Sequence, residues 1–231
     1  MVNDKHRVDL KMEAKRFINK HKNIKFLFIP LVVLTLIQII TQDTTTTTVF
    51  NGEIANVEYN ASYNLLSILI SLLLIFVQVT ISFKILDYLR NPEEYENLSG
   101  TDMMLNIFKG FDKYALNVFL VTIVASIFTF LGFIALIIPG IILSLGYSQM
   151  FYVLKEKTDN NKYSGVLDTL SESFRIMKGH KMDFFILGLS FIGWYLVIGI
   201  TFGIAGVWIY PYIYTTNALF FENLLAEKGL N

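Results

Sequence analysis

The chain has no cysteine. That excludes disulfides, thiolate metal sites and a cysteine nucleophile, while saying little about redox compartment. It is also short of charge: Asp, Glu, Lys and Arg make up 16% of its 231 residues, against about 25% in ordinary soluble domains. Apolar residues take the place of charge, at 54% of the chain with a mean hydropathy of +0.52. Such a composition fits a polytopic membrane protein better than a large soluble core. Nineteen bases against nineteen acids leave no formal net charge, which argues against a nucleic-acid partner.

Further absences narrow the chemistry. The histidines, His6, His21 and His180, are scattered, and none stands in H-x-x-x-H spacing, so no metal site is expected. His180 lies near Asp183, but no activated nucleophile accompanies the pair. A surface histidine beside a helix-starting aspartate is commoner than a catalytic dyad, so no catalytic residue and no enzymatic activity are expected. No glycine-rich phosphate loop opens a helix. ATP-driven work by this chain and a bound cofactor are therefore not expected.

The bases are unevenly placed. Eight precede the first long apolar run, from Lys5 to Lys25. Lys84, Arg90, Lys109 and Lys113 lie between the second and third runs. Lys155, Lys157, Lys162, Arg175, Lys178 and Lys181 lie between the fourth and fifth, and Lys228 is near the C-terminus. Residues 42–63, the turn at Pro139 and Gly140, and residues 203–206 contain none. Basic residues near the ends of spans stay on the cytoplasmic side, so the pattern predicts six spans with both termini inside.

A span needs about 20 apolar residues to cross a core of about 30 Å. The spans are placed at about 24–41, 64–83, 116–138, 139–155, 183–202 and 207–225, as one all-α membrane domain. The fourth is short and starts at Pro139, since proline suits the first turn of a helix. Amphipathic segments at about 4–22, 102–113 and 164–179 are expected to lie at the interface. Their apolar faces read as Leu10, Ala14, Phe17 and Ile18; Met104, Ile107, Phe108 and Phe111; and Leu167, Leu170, Phe174 and Met177. Each leads through a short elbow into an outgoing span and its return, a unit that reads as three copies of one hairpin. Residues 42–63, with a threonine tract at 44–48 and the acids Asp43, Glu53 and Glu58, form the exterior loop.

Two sets of side chains are candidates for binding. Arg175, Lys178, His180 and Lys181 cluster at the last elbow. They read either as contacts to an anionic lipid headgroup or, more commonly, as ordinary charges anchoring the elbow. Within the spans, ionisable residues that would flag an ion pathway are missing from the centres. Uncharged polar groups are present, Gln78, Asn117 and Gln149 foremost, with Gln38, Thr80 and Asn217. They read as a lined pathway or, more commonly, as interhelical hydrogen bonds. Gly188, Gly193, Gly199, Gly203 and Gly206 suggest close helix packing. Trp194, Trp208, Tyr210, Tyr212 and Tyr214 suit an interfacial aromatic belt.

The stretch 173–225 carries MKGHK at 177–181, LSFIGW at 189–194, and Pro211-Tyr212 followed by an apolar segment ending at Glu222. In these motifs it resembles an uncharacterised integral-membrane family of Gram-positive bacteria, domain of unknown function 975. The resemblance extends more weakly over the basic helix at 13–25 and the turn at Pro139. It implies a multi-pass protein of the bacterial cytoplasmic membrane, and it brings no catalytic residues with it. The expected role is non-enzymatic: binding membrane lipids, a membrane-active peptide or other membrane proteins as an accessory or protective factor. The alternative is a small permease or export component for an amphipathic substrate.

Overall fold

A computed structural model describes residues 4–41, 49–50, 53–54, 61–109 and 111–229. The described residues are helical apart from one short ladder. Helix α1 (Asp4–Lys20) leads through His21 into a 3-10 segment (Lys22–Phe28) and α2 (Ile29–Thr41). Strands β1 (Val49–Phe50) and β2 (Glu53–Ile54) pair antiparallel, Val49 opposite Ile54 and Phe50 opposite Glu53, within the segment read as a plain loop. Asp43, the threonine tract and Glu58 lie outside the described residues. Helix α3 (Ala61–Arg90) returns, followed by α4 (Pro92–Glu96), α5 (Gly100–Asn106), α6 (Phe111–Ala135), α7 (Ile137–Gly146) and α8 (Met150–Asp159). Helices α9 (Val166–Ile176), α10 (Lys181–Leu189), α11 (Ile192–Ile200) and α12 (Gly206–Lys228) complete the chain.

Four helical stretches are long and apolar enough to cross a membrane: Lys22–Thr41, Leu65–Arg90, Asp112–Ala135 and Ile137–Asp159. The bent pair α10 and α11 makes a fifth if it counts as one. A belt of exposed apolar side chains supports a lipid surround. Ile134, Leu136, Ile137 and Ile138 at the α6–α7 tip are each at least 66% exposed. Helix α12 is absent from this set because tyrosines, threonines and acids interrupt its apolar run. Its threonines are shielded: Thr215 and Thr216 are buried, and Thr216 donates to the Tyr212 carbonyl of its own helix at 2.7 Å.

Several elements differ from expectation. Helix α3 has 30 residues, about 45 Å at 1.5 Å each, so its charged end, 84–90, runs past a core of about 30 Å. The α6–α7 break falls at Leu136 rather than at Pro139, which sits in the first turn of α7. There the helices approach closely: a Cβ on Gly132 would lie 3.2 Å from the Gly140 Cα. The fourth span is divided by a turn at 147–149 into α7 and α8, and the fifth is broken at Ser190 and Phe191 with a bend of 40°.

The amphipathic segments pack on protein. On α1, Leu10 and Ala14 are buried in the core with Phe17 and Ile18 against it. Burial also lowers the pKa of Lys11, whose Nζ lies 4.7 Å from the Phe191 ring. Helix α5 opens on a cap in which Ser99 Oγ accepts from the Asp102 amide at 3.2 Å. It buries Met103 and Ile107, whereas Phe108 is exposed. Helix α9 buries Thr169, Leu170, Ser173, Ile176 and Met177, a helical stripe; Leu167, assigned to that stripe, is exposed.

Two apolar cores result. The larger joins α1, the 3-10 segment, α3 and α12, and the smaller joins α3, α6, α8 and α9. Charged ties close the end of the bundle where the bases gather. Arg90 reaches Glu156 and Glu222 at 2.8 Å each, joining α3, α8 and α12. Lys155 reaches Asp87 at 2.8 Å and Asp159 at 2.7 Å.

Candidate functional site: a polar cavity inside the bundle

Midway along α3 and α12, beside the start of α8, lies a half-open cavity of about 260 Å³. Gln78 and Ser82, one turn apart on α3, face it. Ser82 Oγ donates to the Gln78 carbonyl at 3.0 Å. Gln149 and Tyr152 come from the start of α8, Tyr195 from α11, and Tyr214 and Asn217 from α12. Ile75, Val79 and Ile213 are among the apolar groups between them. No carboxylate, imidazole or ammonium group is among the lining residues.

Gln149 is the most constrained member. It is fully buried, and its Nε2 donates to Ser148 Oγ at 3.3 Å. Its Oε1 is buried and finds no partner among the described residues, and leaving a buried acceptor unpaired costs about 1–3 kcal/mol. The α7–α8 break sets its position, and α9 sets the break. A Cβ on Gly146 would lie 2.2 Å from the Phe174 ring, so only glycine admits α9 this closely. Ser173 Oγ then donates to the Gly146 carbonyl at 2.9 Å, taking up an acceptor that the ending helix leaves open.

The structure thus brings Gln78 and Gln149 together with Asn217. Asn117 is half-buried on α6 and does not line the cavity. Gln38 makes an interhelical bond instead, Nε2 to Ser71 Oγ at 2.8 Å. Sequence reading missed Ser82, Tyr152, Tyr195 and Tyr214. The available signal was spacing: Gln149 and Tyr152, like Tyr214 and Asn217, stand three residues apart on one helix and share a face. The aromatic residues also divide. Trp194 and Trp208 stay largely exposed, whereas Tyr214 faces the cavity and Tyr210 and Tyr212 pack against the core.

At the last elbow the four named residues are engaged separately. Arg175 is exposed and bonds Glu172 at 2.6 Å, which raises its pKa further. Lys178 is exposed. Lys181 Nζ lies 3.2 Å from the Phe174 ring, and burial lowers its pKa from the ordinary lysine value. His180 is buried between Glu227, 3.3 Å from Nε2, and Asp183, 3.9 Å from Nδ1. Asp183 in turn meets Arg7 of α1 at 3.4 Å. Among the described residues no group of three or more His, Asp and Glu is arranged to hold a metal ion.

Helices apolar enough to cross a membrane, enclosing an uncharged polar cavity, define an α-helical protein with the build of a membrane protein. A family model described as "protein of unknown function", domain of unknown function 975, matches residues 115–228. The chain belongs to that family. The matched region runs from α6 through α12 and includes every cavity residue named above except those on α3. No curated protein and no solved structure matches the chain.

Proposed function

We propose that this is a non-enzymatic, six-span protein of the bacterial cytoplasmic membrane, with both termini inside, that binds an uncharged amphiphile in its central cavity. The carrying observation is Gln149, a wall residue with a buried, unpartnered Oε1, in a half-open cavity ringed by amides and hydroxyls. A neutral ligand with one hydrogen-bond donor and an apolar body answers both halves of that lining. Lipid is the source at hand, since the cavity lies midway along α3, a helix whose outer face is apolar. The sixth crossing is α12: its 23 residues span about 34 Å, and its polar side chains are shielded by neighbouring helices. Family membership supports a Gram-positive origin, and the one-sided bases support the orientation.

The test is the organic extract of protein purified in mild detergent. A stoichiometric amphiphile should be present in the wild type and lost in Gln149→Leu, with elution as a single folded species retained. An extract without such a ligand, or one unchanged by the substitution, counts against the reading.

The alternative, a small permease for an amphipathic substrate, draws on the α10–α11 pair. That pair flanks the cavity through Phe184 and Tyr195, is bent by 40°, and carries Gly188, Gly193 and Gly199 beside open space. A transporter needs such a movable wall. Flux into proteoliposomes that falls in Gln78→Leu and Gln149→Leu, but not in Asn117→Leu, would favour it.

A further inference from the structure

At the end of the bundle where the bases gather, a second depression of about 130 Å³ opens between α3, α6 and α8, with Val79 as the wall it shares with the central cavity. Four lysines line it: Lys84, Lys109, Lys113 and Lys155. Two carboxylates answer them directly. Asp159 takes Lys113 and Lys155 at 2.7 Å each, together with the Tyr114 hydroxyl, and Asp87 takes Lys155 at 2.8 Å. Lys155 is therefore neutralised and pinned, its side chain 5% exposed. Among the described residues Lys84 and Lys109 have no carboxylate within ion-pair distance, and Asp87 and then Glu94 act on Lys84 only from further off. Four ammonium groups less two carboxylates leave two positive charges over one groove.

The groove is graded in polarity. On α3, Lys84, Thr80 and Phe76 lie on one face at intervals of four residues, descending about 12 Å from charge to ring. On α6, Lys113 and Tyr114 at the mouth give way to Val118 deeper in. Charge at one end and apolar surface at the other run along the same helices that are apolar enough to cross the membrane. That grading matches an anionic amphiphile standing with its head at the interface.

We propose that this groove binds the phosphate of an anionic phospholipid headgroup, held by Lys84, Lys109 and Lys113, with its first methylenes against Phe76 and Val118. Basic pockets between helices at the interface are the chemistry that such headgroups select. The site shares no named residue with the central cavity's polar ring, so either reading can fail without the other.

The experiment is native mass spectrometry of the full chain in detergent, titrated with phosphatidylglycerol or with phosphatidylcholine of the same chain length. The wild type should retain phosphatidylglycerol at least tenfold more tightly. Lys84→Gln combined with Lys109→Gln should abolish that preference, while Arg175→Gln combined with Lys178→Gln should keep it. Equal retention of both lipids by the wild type, or an unchanged preference in the Lys84 and Lys109 variant, overturns the proposal. Inorganic phosphate in tenfold excess should not displace the lipid; displacement would overturn the lipid assignment in favour of a free anion. If the double variant fails to fold, Lys109→Glu, at an exposed turn residue, carries the same two outcomes.

Discussion

Gly146 fixes the geometry on which the central cavity depends. Its missing side chain admits the Phe174 ring, and any Cβ there would stand 2.2 Å from a ring carbon. Gly146→Ala should therefore destabilise the protein by about 1–3 kcal/mol, the range for overpacking a close contact. Thermal unfolding in detergent reads the loss, and adding Phe174→Leu should restore most of it. If Gly146→Ala alone leaves the transition unmoved, α9 does not press on the α7–α8 break as described. His21 supplies a pH test at the same scale. It is buried at the first elbow, 4.6 Å from the Phe17 ring and 5.0 Å from that of Tyr88. Burial first, then Lys20, lowers its pKa, and Glu96, 3.8 Å away, offsets only part of this. A depressed pKa means that the neutral form is the one the fold prefers. Its contribution is complete above the unfolded value of about 6.5 and is lost as the pH falls through the lower folded-state value. Between pH 7.5 and 5 the melting temperature of the wild type should therefore fall more than that of His21→Gln. Parallel melting curves for the two proteins would remove His21 from the account.

Among the elements, α10 and α11 depart furthest from what their glycines suggested. A Cβ on Gly188, Gly193 or Gly199 would meet nothing within 4 Å, so these residues do not bring two helices of this chain together. Gly206 does make a close approach: a Cβ there would lie 2.4 Å from the Tyr210 ring. The two kinds should separate on substitution. Gly193→Ala should leave stability unchanged or raise it by up to about 1 kcal/mol, the ordinary gain in a helix interior. Gly206→Ala should lower it, and chemical unfolding in detergent measures both. A destabilised Gly193→Ala would show that another surface covers α11. The contrast also shows how much of the elements was legible. Long apolar runs located α3 and α6, because twenty unbroken apolar residues leave few other readings. The run at 207–225 also located α12, although Thr215, Thr216 and Glu222 dilute its hydropathy below that of the other long helices. Composition was silent on the break at Ser190, which has no proline to mark it. The cavity was half visible for the same reason. Gln78 and Gln149 stand out in apolar runs, whereas Tyr152 and Tyr214 look like any interfacial aromatic until the packing turns them inward.

For the molecule as a whole, the charges form a coherent end. Arg90 bridges α3, α8 and α12, Lys155 and Asp159 tie α8 to α3 and α6, and His180 meets Glu227 between α10 and α12. Every one of these ties falls at helix ends that the distribution of Lys and Arg assigns to the cytoplasmic side. The hairpin strand β2 and the α6–α7 tip belong to segments without a base. The bases on which the proposed orientation rests thus include the ones that tie the helices together at that end. The lack of cysteine makes the orientation directly testable, since a single introduced thiol is read against no background. In intact cells an impermeant thiol reagent should label Glu53→Cys and leave Asn160→Cys unlabelled until the membrane is permeabilised. Asn160 is exposed beyond the end of α8, so its protection would reflect the membrane and not burial in the fold. Labelling at 160 in intact cells would invert the protein, and would place both the lysine groove and the Arg90 ties on the outer surface.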